Sequence, residues 1–401
     1  MLLCEASYGQ GILDQYIQEG LTKNQSIQQQ VFTLEKSIYA LKEAKTMFLP
    51  KVTFMTDYFL AGGGRTVDFP AGDLLNPVYG TLNQLTNSDN FSQLSNQTIL
   101  LNPNNFYDAK FRTSMPLLNL EIEYNRRIKR EQVDLQQTEI NLYKRELAKE
   151  IKIAYFKYLQ SIEAIKIYQS ALGLVKESKR INESLFKNDK VNRTVVLRAE
   201  NEITKFEALR ENAFQNSNSA KASFNFLLNK NLSDSITFDR GYQNAATFLS
   251  DSSAITQRKE LKKLKISNQI NQHLIDMSKS YIAPKLTAFL DLGSQGFDWQ
   301  YNNNTRYYFF GVSLQWDLFS SRNNYYKIKQ TQTDSKIIQS QTDYVETQLQ
   351  LQFTTSVNNF NSSVSSYQAA YSTLTTAQKY YADLLRLYKE GQALFIELLD
   401  A

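Results

Sequence analysis

The chain is poor in the residues that most chemistry and most chain breaks require: one cysteine, one histidine, six prolines and fourteen glycines in 401 residues. Cys4 has no second thiol for an internal disulfide, and a lone thiol with a distant His273 lacks the third partner that a Cys/His nucleophile uses. His273 reads as a half-exposed helix residue. No His, Cys or carboxylate cluster has metal-ligand spacing. Gly62, Gly63 and Gly64 follow a strand pattern, but a polar loop comes next instead of a helix opening with Lys and Ser/Thr, so they are no phosphate loop. The expectation is a protein without catalytic residues, cofactor or metal. No stretch of about eighteen apolar residues occurs, which excludes a transmembrane helix. The net charge of +5 is small, and the basic residues alternate with acids, as from Glu121 to Lys152; they read as solvated helix faces and not as a nucleic-acid stripe.

What remains is long helical periodicity. From Leu120 to about Lys187 there is no proline and one glycine, Gly173. Ile140, Leu147, Ile151, Ala154, Tyr158, Ile162, Ile165, Leu172 and Val175 recur at spacings of three, four and seven, the seam of a helix packed lengthwise on others. At 1.5 Å per residue this helix is roughly 100 Å long. A turn at Asn188-Asp189-Lys190 and a return helix over about Asn192 to Leu228 follow, and so short a link makes the two helices antiparallel.

Before the long helix, a short helix runs from Ile12 to about Gly20. Asn24-Gln25-Ser26 can cap a longer one that Pro50 ends. Lys51 to Leu60 then alternates with a period near two, and so does Tyr107 to Met115, with Tyr107, Ala109, Phe111, Thr113 and Met115 against Asp108, Lys110, Arg112 and Ser114. The residues between, 62–106, are rich in Gly, Asn, Ser and Thr and read as one long irregular loop.

After a boundary at 231–252 the pattern repeats. A helix over about Ser253 to Ile282 ends at Ala283-Pro284, and a strand from Lys285, a loop over Gly293 to Thr305 and a strand over Arg306 to Phe319 follow. A second long helix then covers Ser321 to Glu390, with its seam at Val345, Leu349, Phe353, Val357, Phe360, Val364, Tyr367, Tyr371 and Leu374. The domain reading is an N-terminal segment 1–11, repeat one over 12–230 with hairpin 51–118, and repeat two over 253–401 with hairpin 285–319. Leu185 to Ala199 aligns without a gap on Leu387 to Ala401, so the second return helix is expected to be truncated. Met1 to Gln10 lacks the basic and apolar regions of a signal peptide, although it could be the tail of one; the residue before Cys4 is not small, and no lipidation is assigned.

Two hairpins supply four strands, too few to close a membrane barrel, which begins at about eight. Open edges are costly in lipid, so several copies would share one barrel, and three would give twelve strands. The order of elements resembles the TolC-like outer membrane factors. The resemblance is carried by Phe48-Leu49-Pro50, Ala283-Pro284, Pro116-Leu117-Leu118, Trp316-Asp317-Leu318-Phe319, Phe224-Asn225-Phe226-Leu227-Leu228-Asn229, Tyr388-Lys389-Glu390-Gly391 and Leu398-Leu399-Asp400-Ala401.

What the resemblance implies is an α+β membrane protein in which a long antiparallel α-helical barrel continues into a shared transmembrane β-barrel. It would be a homotrimer in the outer membrane of a Gram-negative bacterium with a periplasmic extension, serving a tripartite efflux pump or a type I secretion system. The implied partners are a periplasmic adaptor, an inner-membrane transporter and outer-membrane lipid. The implied periplasmic aperture draws on Asp189, Lys190, Asp383, Arg386 and Glu390, and the helix-turn adaptor contact on Val191, Val195, Gly391 and Leu394. Asp189 departs from the glycine frequent at that turn in the family. A soluble periplasmic coiled-coil scaffold or adaptor is the alternative, distinguished by having no need of two amphipathic hairpins.

Overall fold

A computed structural model describes residues 11–102, 104–238, 257–393 and Glu397. The N-terminal segment, Pro103, most of the inter-repeat boundary, residues 253–256, Leu394 and Leu398-Leu399-Asp400-Ala401 lie outside the described residues. The chain divides into two compact units.

The first unit comprises residues 11–41, 128–272 and 332–393, with Glu397. It contains α1 (Ile12–Lys23), most of α2 (Gln25–Thr46), the greater part of a helix running Leu120–Lys187, α5 (Arg193–Leu227), most of α6 (Lys259–Lys279) and the length from Gln332 of a helix running Asn323–Lys389. Asparagines open α2 and α5. Asn24 Oδ1 accepts from the Ser26 and Ile27 amides at 2.9 and 3.3 Å, and Asn192 accepts from Thr194, each satisfying an amide that the first turn leaves unpaired. α1 continues three residues beyond Gly20, because Asn24 and not the glycine ends it; Gly20 instead allows close approach, and a Cβ there would come within 2.5 Å of Ile151 Cδ1.

The core of this unit joins Leu13, Tyr16 and Ile17 to Leu147, Ile151, Tyr155, Phe224 and Leu228. The Tyr16 ring meets Phe224 edge-on at 5.1 Å, and its hydroxyl accepts the Thr237 amide at 2.9 Å. The Phe224 to Asn229 segment has a division of labour. Phe224 and Leu228 fill the core, Asn225 donates to the Leu232 and Asp234 carbonyls, and Asn229 in the left-handed conformation ends α5.

The second unit comprises residues 42–127 and 273–331. Its centre is an antiparallel sheet in the order β1-β4-β5-β6, from β1 (Lys51–Phe59), β4 (Phe106–Leu118), β5 (Lys285–Phe297) and β6 (Arg306–Gln315). Pro116 sits where the β4–β5 register shifts, at a bulge that tolerates its missing amide. Each β-hairpin is closed as read from the sequence, but its details differ. β5 runs on to Phe297, so the second loop is shorter than Gly293 to Thr305. β6 stops at Gln315, leaving Trp316-Asp317-Leu318-Phe319 outside the strand.

The expected irregular loop at 62–106 is structured. It holds β2 (Thr66–Phe69) paired with β3 (Gln97–Leu100), and between them α3 (Ala71–Thr86). Asparagines do this against the local breakers Pro77 and Gly80. Asn76 exchanges two hydrogen bonds with the Leu94 backbone, Asn83 two with Phe91, and Asn96 Oδ1 accepts from the Gly72 and Asp73 amides. With α3 placed, the remaining long helices are α4 (Leu120–Lys187), capped by Asn119, and α7 (Asn323–Lys389).

Candidate functional site

Because side chains alternate along strands, the register sorts the four-stranded sheet into two faces. One carries Val52, Phe54, Phe111, Leu290, Leu292, Tyr308, Phe310, Val312 and Leu314. Most are exposed, with Phe310 at 66% and Leu314 at 62%, which makes a contiguous apolar band far beyond what a water-facing sheet carries. The other face holds the charges apart from Arg306, which stands at the loop end of β6 on the apolar face. Arg112 grips Asp291 through two hydrogen bonds of 2.7 and 2.6 Å and lies 5.2 Å over Phe289. Lys110 pairs with Asp108 at 2.5 Å, and the Tyr307 hydroxyl donates to Asp108 at 2.7 Å. A fork-to-fork pair of this kind is the strongest ion pair available to side chains.

At the loop end of the sheet an aromatic clasp joins the two hairpins. Trp299 stacks on Tyr107 at 5.3 Å and 2°, and on Tyr58 at 5.0 Å. Tyr107 is buried, with its hydroxyl on Ser294 and the Gln300 carbonyl. Asp298 and Trp299 both adopt the left-handed backbone that holds the indole there, and Asn105, also left-handed, bonds Asp298 and Tyr58. The sequence pointed to Tyr107 but missed Trp299, whose only local signal was an Asp-Trp pair inside a loop.

The other region of interest is the helix ends. Asp189 (φ 57°) and Gly391 (φ 77°) occupy equivalent places. In each case the next amide bonds back five residues (Lys190 to Leu185, Gln392 to Leu387) and the left-handed residue bonds back three (Asp189 to Phe186, Gly391 to Tyr388), the same six-to-one closure of a helix end. Beneath these turns Ile181, Ala199, Leu384 and Tyr388 form a small core, with Val195 packed on it. Within it lies a pair that sequence reading missed. The Tyr388 hydroxyl donates to Oδ1 of Asn182, which is wholly buried, while Asn182 Nδ2 has no partner among the described residues. Burial pushes the Tyr388 phenol above its ordinary pKa. Residues 206 apart in sequence leave no local trace of such a contact.

The charged aperture candidates Asp189, Lys190, Asp383, Arg386 and Glu390 are all exposed, and among the described residues no ion pair joins them. Val191 is half-buried at the first turn, and Leu394 lies outside the described residues. His273 is half-exposed on α6, its Nδ1 buried and without a hydrogen-bond partner among the described residues. The apolar hollow between α4 and α5, about 630 Å³, is lined by Ile153, Ala154, Ala220 and Phe226 with Glu150 and Lys157 at its rim, and offers no convergent polar set.

No family model and no characterised sequence matches the chain. Solved structures do. The Campylobacter jejuni CmeC outer membrane channel superposes with a TM-score of 0.73 at 14% identity, over 97% of this chain and 79% of that one. The fold is that of the TolC-like outer membrane factors. The Vibrio cholerae outer membrane protein VceC gives 0.73 at 11% identity, over 96% of this chain and 88% of that one. The open-state Neisseria gonorrhoeae MtrE outer membrane channel gives 0.73 at 15%, over 97% and 82%. An outer-membrane-factor fold accounts for both features described above: an apolar-banded sheet, and helix pairs closed by matched turns.

Proposed function

We propose that this chain is one protomer of a trimeric outer-membrane export duct with a periplasmic extension, a passive conduit and not an enzyme. The observation that carries the reading is the sheet. Its apolar face is exposed, its edges β1 and β6 are unpaired on their outer sides among the described residues, and four strands cannot enclose a pore. Three copies joined edge to edge would make a twelve-stranded barrel with the apolar band toward lipid and the Arg112–Asp291 face toward water. The aromatic clasp of Tyr58, Tyr107 and Trp299 suits the interfacial girdle of such a barrel.

Two repeats, 12–230 and 253–401, are supported by the twin hairpins and by the matched closures at Asp189 and Gly391. We assign the periplasmic aperture to the helix ends, with Asp189, Lys190, Asp383, Arg386 and Glu390 as its charged rim and the Asn182–Tyr388 bond as an intra-protomer latch. Val191, Val195 and Gly391 would meet a periplasmic adaptor, and an inner-membrane transporter of an efflux pump or type I secretion system would supply the energy. A soluble scaffold is not favoured, because it would leave Phe54, Phe111, Phe310 and Leu314 in water.

The test is the mass of the purified protein in detergent together with conductance in a planar bilayer. A trimer with stepwise conductance is expected; a monomer, or a protein stable without detergent, overturns the reading. Deletion in a strain with no paralogue is expected to sensitise cells to toxic compounds or to block secretion.

A further inference from the structure

The apolar face of the four-stranded sheet bears a single charge. Among its ladder positions, from Val52 on β1 to Leu314 on β6, only Arg306 is charged, and it stands in the first position of β6, at the loop end. Tyr308, Phe310, Val312 and Leu314 follow it on the same side. At about 3.3 Å per residue the cation heads a run of roughly 26 Å along the strand with no other charge, comparable with the lipid-facing band of a membrane barrel, about 25 Å tall. Arg306 therefore lies where a bilayer would pass from hydrocarbon to headgroups.

Its surroundings do not neutralise it. Lys110, Arg112 and Lys285 on the opposite face each have an acid of their own, whereas among the described residues no carboxylate pairs with Arg306. The guanidinium lies 5.0 Å from the centre of the Tyr301 ring, a contact that orients the cation without cancelling its charge. Ser294, opposite it in the ladder, has its hydroxyl committed to Tyr107 and Thr305. Asp298, the acid of the same loop, is bonded to Asn105, and Asp57 of β1 belongs to the other face. Tyr301 and Tyr308 are exposed beside the arginine, at 66% and 78%. β6 is an edge strand, and joining copies edge to edge would engage its backbone and leave this face uncovered.

We propose that Arg306, flanked by Tyr301 and Tyr308, is a binding site for the phosphate of a lipid headgroup in the outer leaflet. The inference rests on the duct reading above, which sets this face against lipid and the loop end outward. A planar guanidinium offers two parallel N–H groups to two phosphate oxygens, a geometry that a lysine ammonium does not reproduce. The Tyr308 phenol, two positions further and about 7 Å along the same side, supplies another donor. The acyl chains would then lie along Phe310, Val312 and Leu314, so that one strand recognises headgroup and tail together.

The chain has two tryptophans, Trp299 and Trp316, which makes the site measurable by fluorescence. In Trp316→Phe the remaining indole is Trp299, two residues from Tyr301 in the same loop. The purified trimer with this change is reconstituted in phosphatidylcholine bilayers containing brominated phosphatidic acid or brominated phosphatidylcholine, and the quenching of Trp299 gives the relative affinity of the two lipids. A preference for phosphatidic acid of about fivefold is expected, the worth of one basic residue at an anionic surface. On that background Arg306→Gln should abolish the preference, Arg306→Lys should keep part of it, and Lys51→Gln, on the opposite face, should leave it unchanged. Equal quenching by the two lipids overturns the proposal. So does a preference that survives Arg306→Gln, or one that millimolar inorganic phosphate removes, because the site would then take free anions and not lipid. An Arg306→Gln protein that no longer forms trimers also overturns it, since the arginine would be pairing with a second copy. A wild-type protein that is monomeric in detergent refutes the duct reading itself, whereas a conducting trimer without the lipid preference removes this proposal alone.

Discussion

Removing one hydroxyl tests whether the Asn182–Tyr388 pair latches the helix ends. In Tyr388→Phe the ring keeps its place among Ile181, Ala199 and Leu384, so the apolar packing is retained. What is lost is the donor to Asn182 Oδ1. Because Asn182 is wholly buried and its Nδ2 lacks a partner among the described residues, its side-chain amide is then left with no hydrogen bond to any of them. Stranding a buried polar group costs about 1–3 kcal/mol. At about 2 kcal/mol the equilibrium for parting the end of α7 from α4 shifts about 30-fold toward open. Replacing both partners with apolar groups of similar shape is close to neutral, so Asn182→Leu combined with Tyr388→Phe should recover most of the loss. Hydrogen exchange of the amides over 180–190 and 384–392 reads the opening directly, and bilayer conductance reads its effect on passage. If Tyr388→Phe exchanges like wild type, or if the double variant is looser than the single, the latch reasoning is wrong.

Other perturbations address different parts of the molecule. Gly293→Ala would bring a Cβ within 2.7 Å of the Ala109 carbonyl and 2.8 Å of Lys110 Cβ, so it should disrupt the β4–β5 pairing and lower the melting temperature of the detergent-solubilised protein. Asp189→Gly relieves a left-handed aspartate and should raise stability at the first turn by about 0.5–1 kcal/mol, read as slower local exchange, whereas Gly391→Ala should do the reverse at the second. For Glu19, burial raises the carboxyl pKa, but hydrogen bonds from Lys230 and Lys23 outweigh it and hold the carboxyl below its ordinary 4.5. A depressed carboxylate stabilises fully above the ordinary glutamate value, and that contribution is lost as pH falls through the depressed one. Glu19→Gln should therefore lower the melting temperature at pH 7 and flatten its decline below pH 4.5; an equal acid decline in both proteins would refute the assignment.

The sequence was most informative where one physical rule acts over many residues. α4 falls at Leu120–Lys187 as its unbroken periodicity predicts, and its seam residues Ile140, Leu147, Ile151, Leu172 and Val175 are buried. The α7 seam was equally legible, yet from Phe353 to Leu374 it is half-buried or exposed in the single chain, because the surfaces it matches are not supplied by the described residues. The reading failed where side chains replace local propensity. Residues 62–106 have loop composition, but Asn76, Asn83 and Asn96 bond backbone groups 18, 8 and 24 residues away and so hold a helix around Pro77 and Gly80. Trp316 to Phe319 continue an apolar pattern past the last ladder residue, and pattern alone does not mark where pairing stops. The helix-end site was half legible: the turns and their charges could be read, but the buried bond beneath them could not.

The clasp of Tyr58, Tyr107 and Trp299 also bears on how the protein is assembled. Slipping β4 against β5 by one residue would send Tyr107 to the opposite side of the ribbon, away from Trp299, Ser294 and the Gln300 carbonyl at once. A misaligned sheet thus suffers three simultaneous losses, all of them within one chain. In the trimer proposed above, alignment would therefore be fixed by contacts inside one protomer, independently of any edge strand shared with a second copy.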